Sequence, residues 1–266
     1  MLGGYEMFTN EEENIFRECR DRIPEFNEKI GKITGWTKGY KVVDERISGF
    51  GFNGVSHLIL NQAEGQVNTG KMMSALLHRA IESGVKIYNG FAIKHLEDTS
   101  QGVEIETEFG WTIRVPKVLV AVNGFARRLL SMAEVQPARN QVLITQPIPG
   151  LQIEGCFHYD RGYFYFRNID GRILLGGGRN LDLEREKTDA FGANELIRKA
   201  LVNLLETVVC PNQQVQIDSW WTGILGLGPI KKPIVEKISP NVTVAVRLSG
   251  MGVAIGTLVG QEGAAL

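Results

Sequence analysis

Cysteine is scarce and scattered. Cys19, Cys156 and Cys210 are the only three in 266 residues, and none lies in a Cys-x-x-Cys or Cys/His cluster. A structural zinc site or a disulfide framework is therefore not expected, no metal is assigned, and a reducing, cytoplasmic setting fits best. Excess charge is missing too: 29 Lys and Arg against 30 Asp and Glu leave a formal net charge of -1. No overall basic field exists to hold nucleic acid or an anionic membrane. No apolar run approaches the roughly 18 residues of a membrane span. Residues 1–10 have neither the basic nor the apolar stretch of a secretory leader. Repeats and low-complexity segments are absent.

What is present is ordinary globular composition, 43% hydrophobic and 22% charged. Thr9–Ile30 reads as a helix capped by Thr9 or Asn10, with Pro24 ending or kinking it. Lys38–Leu60 reads as strand-like with glycine turns. Gly70–Ser83 is the clearest helix, with Met73, Leu76, Leu77, Ala80 and Ile81 on one face and Gly84 as its stop. Val85–Tyr88 reads as a strand, so helix then strand suggests a parallel α/β layer. Ile93–Val115 divides into three short runs, a small antiparallel meander. Lys117–Val122 is continuously apolar, as in a strand buried on both faces. Asp170-Gly171 marks a tight hairpin between Phe164–Asn168 and Arg172–Gly176. Asn194–Val208 reads as an amphipathic helix, Val215–Trp221 and Val242–Arg247 as strands, and Met251–Leu266 as a helix. Parallel-type and antiparallel pieces interleave, and no linker divides the chain.

Gly49-Phe50-Gly51-Phe52-Asn53-Gly54 spells GxGxxG. A dinucleotide fingerprint needs a strand before it and a helix after it, so that helix N–H groups meet the pyrophosphate. Here Val55–Leu60 reads as a strand, so the segment is taken as a glycine-rich β-turn. Gly176-Gly177-Gly178-Arg179 ends a hairpin strand and opens no helix, so it is not a phosphate loop.

Three segments carry candidate chemistry. After the strand Val242–Val246, Ser249-Gly250-Met251-Gly252 leads straight into a helix whose first N–H groups are free for a ligand; a plain strand-turn-helix unit is the alternative. Val118–Val122 ends in the corner Asn123-Gly124, and open α/β sheets bind ligands outside such carboxyl ends. Along His158–Arg167, alternation puts Tyr163, Tyr165 and Arg167 on one face and Phe164 and Phe166 on the other. Two phenols and a guanidinium suit a carboxylate, or else form a solvated face. Arg247 is either a carboxylate anchor or a surface group. Trp221 is either a pocket wall or core. His78 and His95 read as structural or solvated.

In order and spacing, these segments resemble the flavin oxidoreductases of the D-amino-acid oxidase, glycine oxidase and sarcosine oxidase type. Val67–Met73 is similar to that family's entry into its second cofactor-domain helix. Val85–Ile93 is similar to its adenine-contacting strand, and Ala121-Val122-Asn123-Gly124 to its Ala-Thr-Asn-Gly corner. Trp221-Thr222-Gly223 is similar to its Trp-x-Gly, and Leu248–Gly252 to its Phe-Ser-Gly-His-Gly turn beside the flavin ring. Tyr163 falls where glycine oxidase-like members place a substrate-binding tyrosine.

The resemblance implies a fold of α/β plus α+β type. An incomplete FAD-binding Rossmann-like domain (66–135 and 223–266) would interleave with an antiparallel β-rich substrate domain (1–65 and 136–222). It implies FAD held non-covalently through Ile93, Ala121, Val122, Asn123, Gly124, Ser249, Gly250, Met251, Gly252 and Val253. A small amine or amino acid would meet Tyr163, Tyr165, Arg167, Trp221 and Arg247, and oxygen or another acceptor would take the electrons. The departures are equally specific. The family's opening βαβ unit with its GxGxxG has no counterpart, which would set Met1 inside the fold. The acid expected in a Thr-x-Asp-x-x-Pro stretch is absent from Gly228–Pro233. The arginine of the C-terminal turn aligns with Gly250, three residues after Arg247. The expected activity is oxidation of a C–N bond by hydride transfer. The alternatives are an inactive fragment that does not retain FAD, and an NAD(P)-linked protein.

Overall fold

The computed structural model describes residues 3–266. In chain order its strands are β1 (Gly4–Phe8), β2 (Tyr40–Val42), β3 (His57–Asn61), β4 (Ile93–Thr99), β5 (Gly102–Thr107), β6 (Thr112–Val115), β7 (Val118–Val120), β8 (Gln136–Thr145), β9 (Cys156–Tyr159), β10 (Phe164–Ile169), β11 (Arg172–Gly177), β12 (Ile217–Leu227), β13 (Ile234–Ser239) and β14 (Val242–Val246). The helices are α1 (Glu13–Asp21), α2 (Ile23–Thr34), α3 (Ile47–Phe50), α4 (Thr69–Glu82), α5 (Ala126–Leu130), α6 (Glu195–Leu204) and α7 (Gly252–Ala265). The chain divides into two compact units, each made of three segments. The first takes residues up to Asn68, then Asn140–Leu183 and Gly192–Thr222; the second takes Thr69–Arg139, Glu184–Phe191 and Gly223–Leu266.

The first unit is built on a sheet of order β12-β8-β11-β10-β9-β1-β3-β2. β1 runs parallel to β9, while β1/β3, β2/β3, β9/β10, β10/β11 and β8/β11 pair antiparallel. Strand alternation gives the sheet two unlike faces. On one, Tyr5, Phe157 and Phe166 lie side by side and stack at 4.7 and 4.8 Å. Ile197, Leu201 and Leu204 of α6 close over that face. Each such ring contributes about 1.5–3 kcal/mol through its burial. α6 starts at Asn194, whose side chain accepts the Leu196 N–H at 3.1 Å. It runs on through a π-helical turn, Leu205–Val209. The β10–β11 hairpin turns on Asp170 (φ 53°) and Gly171 (φ 73°), the two left-handed positions of a type I′ turn.

Three readings of the N-terminal segment change. The helix over 9–30 is broken at Arg22, and Pro24 opens the second half instead of ending the first. That is proline's tolerated place, since the first helical N–H groups lack partners anyway. The strand-like stretch 38–60 contains only β2 and β3; between them Asp44–Phe50 is helical. Gly49 and Phe50 therefore belong to the single turn of α3, not to a β-turn, and Gly51 (φ 76°) ends it.

The second unit holds a meander, β4-β5-β6, and a three-stranded sheet, β13-β14-β7, in which β14 pairs β7 in parallel and β13 antiparallel. α7 lies against this sheet: a Cβ on Gly263 would stand 3.0 Å from Leu119 Cδ1, so glycine sets the depth of packing. Asp98 accepts from Ser239 Oγ at 2.5 Å and from the Asn241 backbone N–H at 2.8 Å, tying β4 to the β13–β14 turn. Arg139 and Glu186 form a buried bidentate pair at 2.9 and 2.8 Å.

Two expectations fail in this unit. Val85–Tyr88 is not a strand: it joins no ladder among the described residues, and a strand exists only through its ladder. β7 is not buried on both faces: it ends its sheet, and Leu119 is 40% exposed beside a buried Val120. α4 forms as read, with Gly84 (φ 84°) after its end. Yet Met73, Leu76, Leu77 and Ile81 on its apolar face are each at least 45% exposed.

Candidate functional site

Two constellations stand out, one in each unit. In the second unit, β14 is followed by Arg247 (φ 63°), Leu248, Ser249 (φ 51°) and Gly250 (φ 82°), three left-handed residues within four. Non-glycine residues hold such conformations only when the surroundings over-determine them. Here they do. Asn123 Oδ1 accepts the Leu248 N–H at 3.1 Å, and the Ser249 N–H donates to the Gly226 carbonyl at 3.0 Å. Asn123 is itself left-handed (φ 46°), a conformation asparagine tolerates. Gly226 is required beside it, because a Cβ there would stand 2.5 Å from Asn123 Oδ1.

This turn delivers the chain to α7, whose N-cap, Met251, supplies no side-chain hydrogen bond. The Ala254 and Ile255 N–H groups fold back to the Met251 carbonyl, while Gly252 and Val253 lead the helix with their N–H groups at its positive end. A Cβ on Gly250 would meet nothing within 4 Å, so the approach to the turn is open. Arg247 is buried; its Nε donates to the Lys232 carbonyl at 2.8 Å. Ala121 and Val122 are exposed just before Asn123, and Gly124 is buried. Ile93 begins β4 opposite Thr107.

In the first unit, the sheet face opposite the aromatic core is polar across β9 and β10, whereas towards β3 Phe8 and Ile59 on that side pack with Phe16 of α1. Glu6, His158 and Tyr165 stand in one row across β1, β9 and β10. Gly4, Cys156 and Arg167 form the next row. Tyr165 accepts a hydrogen bond from Asn140 Nδ2 at 2.9 Å and lies over Gly176, where a Cβ would come 2.6 Å from its oxygen. Burial raises its phenol above the ordinary value, opposed by the Asn140 bond. Arg167 Nη1 donates to the Val67 carbonyl at 2.6 Å. His158 Nδ1 meets Glu6 Oε1 at 2.7 Å, and that carboxylate, against the pull of burial, holds the imidazole above its ordinary value. The Cys156 thiol is raised by burial and by the Glu64 carboxylate, against the opposing charge of Arg167.

The structure thus brings Tyr165 and Arg167 onto one face, as alternation requires, with Phe164 and Phe166 on the other. Tyr163 precedes β10 in a turn and is exposed. Trp221 is exposed on β12, whereas Trp220 packs on the core with the Arg198 guanidinium 4.9 Å over its ring. Asn123 and Gly124 are joined to the Leu248–Gly252 turn as one constellation. Sequence reading passed over Glu6, Asn140, Gly176 and His158. Alternation along β9 and β10 could have flagged His158; the pairing of Glu6 with it, 152 residues apart, leaves no local signal.

The implied cofactor can be tested against these residues. The ring end of a flavin fits: a flat, partly anionic group would find an open glycine turn and the N–H groups of the first helical turn, which the helix itself does not use. The diphosphate end finds no match among the described residues, because the GxGxxG segment at Gly49–Gly54 lies in the first unit and leads to β3.

Known proteins give the same frame. The model of the family described as "FAD dependent oxidoreductase" matches residues 7–266. A "Probable oxidoreductase OrdL" of Rhizobium meliloti (strain 1021) is 26% identical over 229 residues, covering 82% of this chain and 51% of its own length. The chain thus spans about half of that curated relative. Glycine oxidase from Geobacillus kaustophilus superposes with a TM-score of 0.80 at 18% identity, covering 99% of this chain and 70% of its own. L-proline dehydrogenase from P. horikoshii does so at 0.75 and 19%, covering 98% and 71%.

Proposed function

The chain belongs to the FAD dependent oxidoreductase family, and from that premise we propose that it serves the FAD-dependent oxidation of a C–N bond in a small amine or amino acid. Amino acids are the class named for glycine oxidase, L-proline dehydrogenase and the L-amino acid deaminase of Proteus vulgaris, all of similar fold. When bound, FAD supplies the acceptor for the substrate's hydride, and oxygen or another acceptor regenerates it.

The observation that carries the reading is the locked turn Arg247–Gly252 at the head of α7. Its backbone N–H groups and helix dipole suit the negative charge that develops on a reduced flavin ring. Ala121, Val122, Asn123 and Gly124 border the same turn, with Ser249–Val253 as its donors and Ile93 assigned to the adenine end. On the polar sheet face, Arg167 and Tyr165 supply charge-assisted and neutral hydrogen bonds for a carboxylate. Tyr163 and Trp221 are assigned to the same substrate. The three free cysteines accord with a reducing, cytoplasmic setting, and among the described residues no helix is long and apolar enough to cross a membrane.

Reconstitution tests this. Purified chain incubated with FAD should turn yellow, with absorbance near about 450 nm that bleaches when an amine substrate is added anaerobically. Protein that stays colourless would remove flavin binding from this chain. That second reading, a chain that does not retain FAD, is favoured by one observation: α4 and Val85–Tyr88 leave Leu76, Ile81, Val85 and Tyr88 exposed. An NAD(P)-linked function has no support from Gly49–Gly54, which opens no helix.

A further inference from the structure

The polar row on the first unit's sheet includes a group that carboxylate recognition does not use. His158 is bonded through Nδ1 to Glu6 at 2.7 Å, while Nε2 has no partner among the described residues. Its side chain is 37% exposed. In register beside it stands Tyr165, with Arg167 one pleat further along β10. A carboxylate on one ring nitrogen fixes the tautomer and leaves the other as the base.

We propose that the Glu6–His158 pair takes the proton from the substrate's ammonium group, and so makes this face select an amine. This inference rests on the C–N oxidation reading. An alkylammonium such as that of lysine holds its proton up to a pH of about 10.4, and no imine can form until the nitrogen lone pair is free. In the step, one substrate N–H bond breaks, keeping its electron pair on nitrogen, and an Nε2–H bond forms. The imidazolium is neutralised by Glu6, and the proton later leaves to water. The surrounding groups complete the assignment: Arg167 stands for the carboxylate end of the same ligand, and Glu6 with His158 for the nitrogen end.

Other titratable groups also bear on His158. They are Glu64 in the loop after β3, Cys156 on its own strand, and Tyr165 and Arg167 on β10. Glu6 in turn acts on Cys19 of α1 and Tyr40 of β2. These place a surplus of carboxylates on the amine side, which favours the protonated ring once it forms.

The test uses the full chain with isotopically labelled histidine, followed by NMR across pH. The four histidines resolve by substitution. His158 should titrate above an ordinary imidazole, and Glu6→Gln should remove that elevation. Glycine, L-proline and iminodiacetate are then added against their nitrogen-free counterparts acetate, cyclopentanecarboxylate and diglycolate. An amine of the set should shift His158 while its nitrogen-free partner does not; equal effects, or none from any amine, overturn the proposal. In FAD-loaded chain, His158→Gln should lower kcat/KM about 100-fold and abolish the acid limb of its pH profile, and Glu6→Gln should move that limb to lower pH. An unchanged acid limb in His158→Gln overturns the pair alone. Absence of any amine turnover overturns the proposed function, while the histidine titration still decides the pair.

Discussion

The two units differ in what becomes of a regular apolar stripe. The first stacks Tyr5, Phe157 and Phe166 across three strands and closes them under α6. The second carries an equally regular apolar stripe on α4, and Leu76, Leu77 and Ile81 remain exposed. Periodicity is the same kind of signal in both. It shows that a helix has an apolar face, not that anything within the chain covers it. Burial contributes about 25 cal/mol per Å² only where water is removed, so the stripe of α4 adds little to the second unit. That unit has its own smaller core, in which Val103, Val120, Val135, Val242, Val244 and Val246 are buried, and polar ties add to it: the buried pair Arg139 and Glu186, and the part-buried bonds of Asp98 to Asn241 and Asn123 to Leu248.

The largest effect that can break this contrast comes from paired truncations. Phe157→Ala should cost the first unit about 3–5 kcal/mol through the cavity it leaves. Leu76→Ala should change the second by no more than about 0.5 kcal/mol. Amide hydrogen exchange, which reads each unit separately, checks both; comparable losses would erase the distinction. Next in size is Asn123→Ala. It strands the part-buried Leu248 N–H at a cost of about 1–3 kcal/mol. Faster exchange at Leu248 and Ser249 and weaker FAD uptake are expected, with the first unit's amides unchanged.

The smallest effect concerns a polar tie at the edge of the first unit's apolar packing. His57 has Asp44 at 2.7 Å on Nδ1 and Glu13 at 2.9 Å on Nε2, with Phe16 stacked on its ring. Burial pulls its pKa down, but the two carboxylates outweigh that and hold it above the ordinary value. A raised pKa for a base contributes stability fully below the unfolded value, about 6.5, and loses it as pH rises through the folded one. Stability of wild type relative to His57→Gln should therefore shrink from pH 6 to pH 9, read by urea unfolding at each pH.

Much of the fold was legible because it is written locally. The Asp170-Gly171 hairpin, the meander and α7 each follow from turn chemistry and periodicity within a dozen residues. The N-terminal helix was misdivided because proline both ends helices and opens them. Val85–Tyr88 was misread because a strand depends on its partner, and sequence shows only the strand. The site divides the same way. Tyr165 and Arg167 share a face by simple alternation, and Asn123 and Ser249 sit at corners that glycines mark. Glu6 reaches His158, and Asn140 reaches Tyr165, only through the sheet, which joins segments separated by 152 and 25 residues.

The parallel pairing of β7 with β14 also sets an order of events. Val118–Val120 must wait for Val242–Val246, which leaves the ribosome more than a hundred residues later. Asp98 likewise meets Ser239 across 141 residues. Non-local pairings of this kind are the slow ones, and an unpaired apolar edge invites the wrong partner while it waits. During synthesis this sheet therefore remains open until β14 has emerged, and that interval is when a chaperone has most to protect.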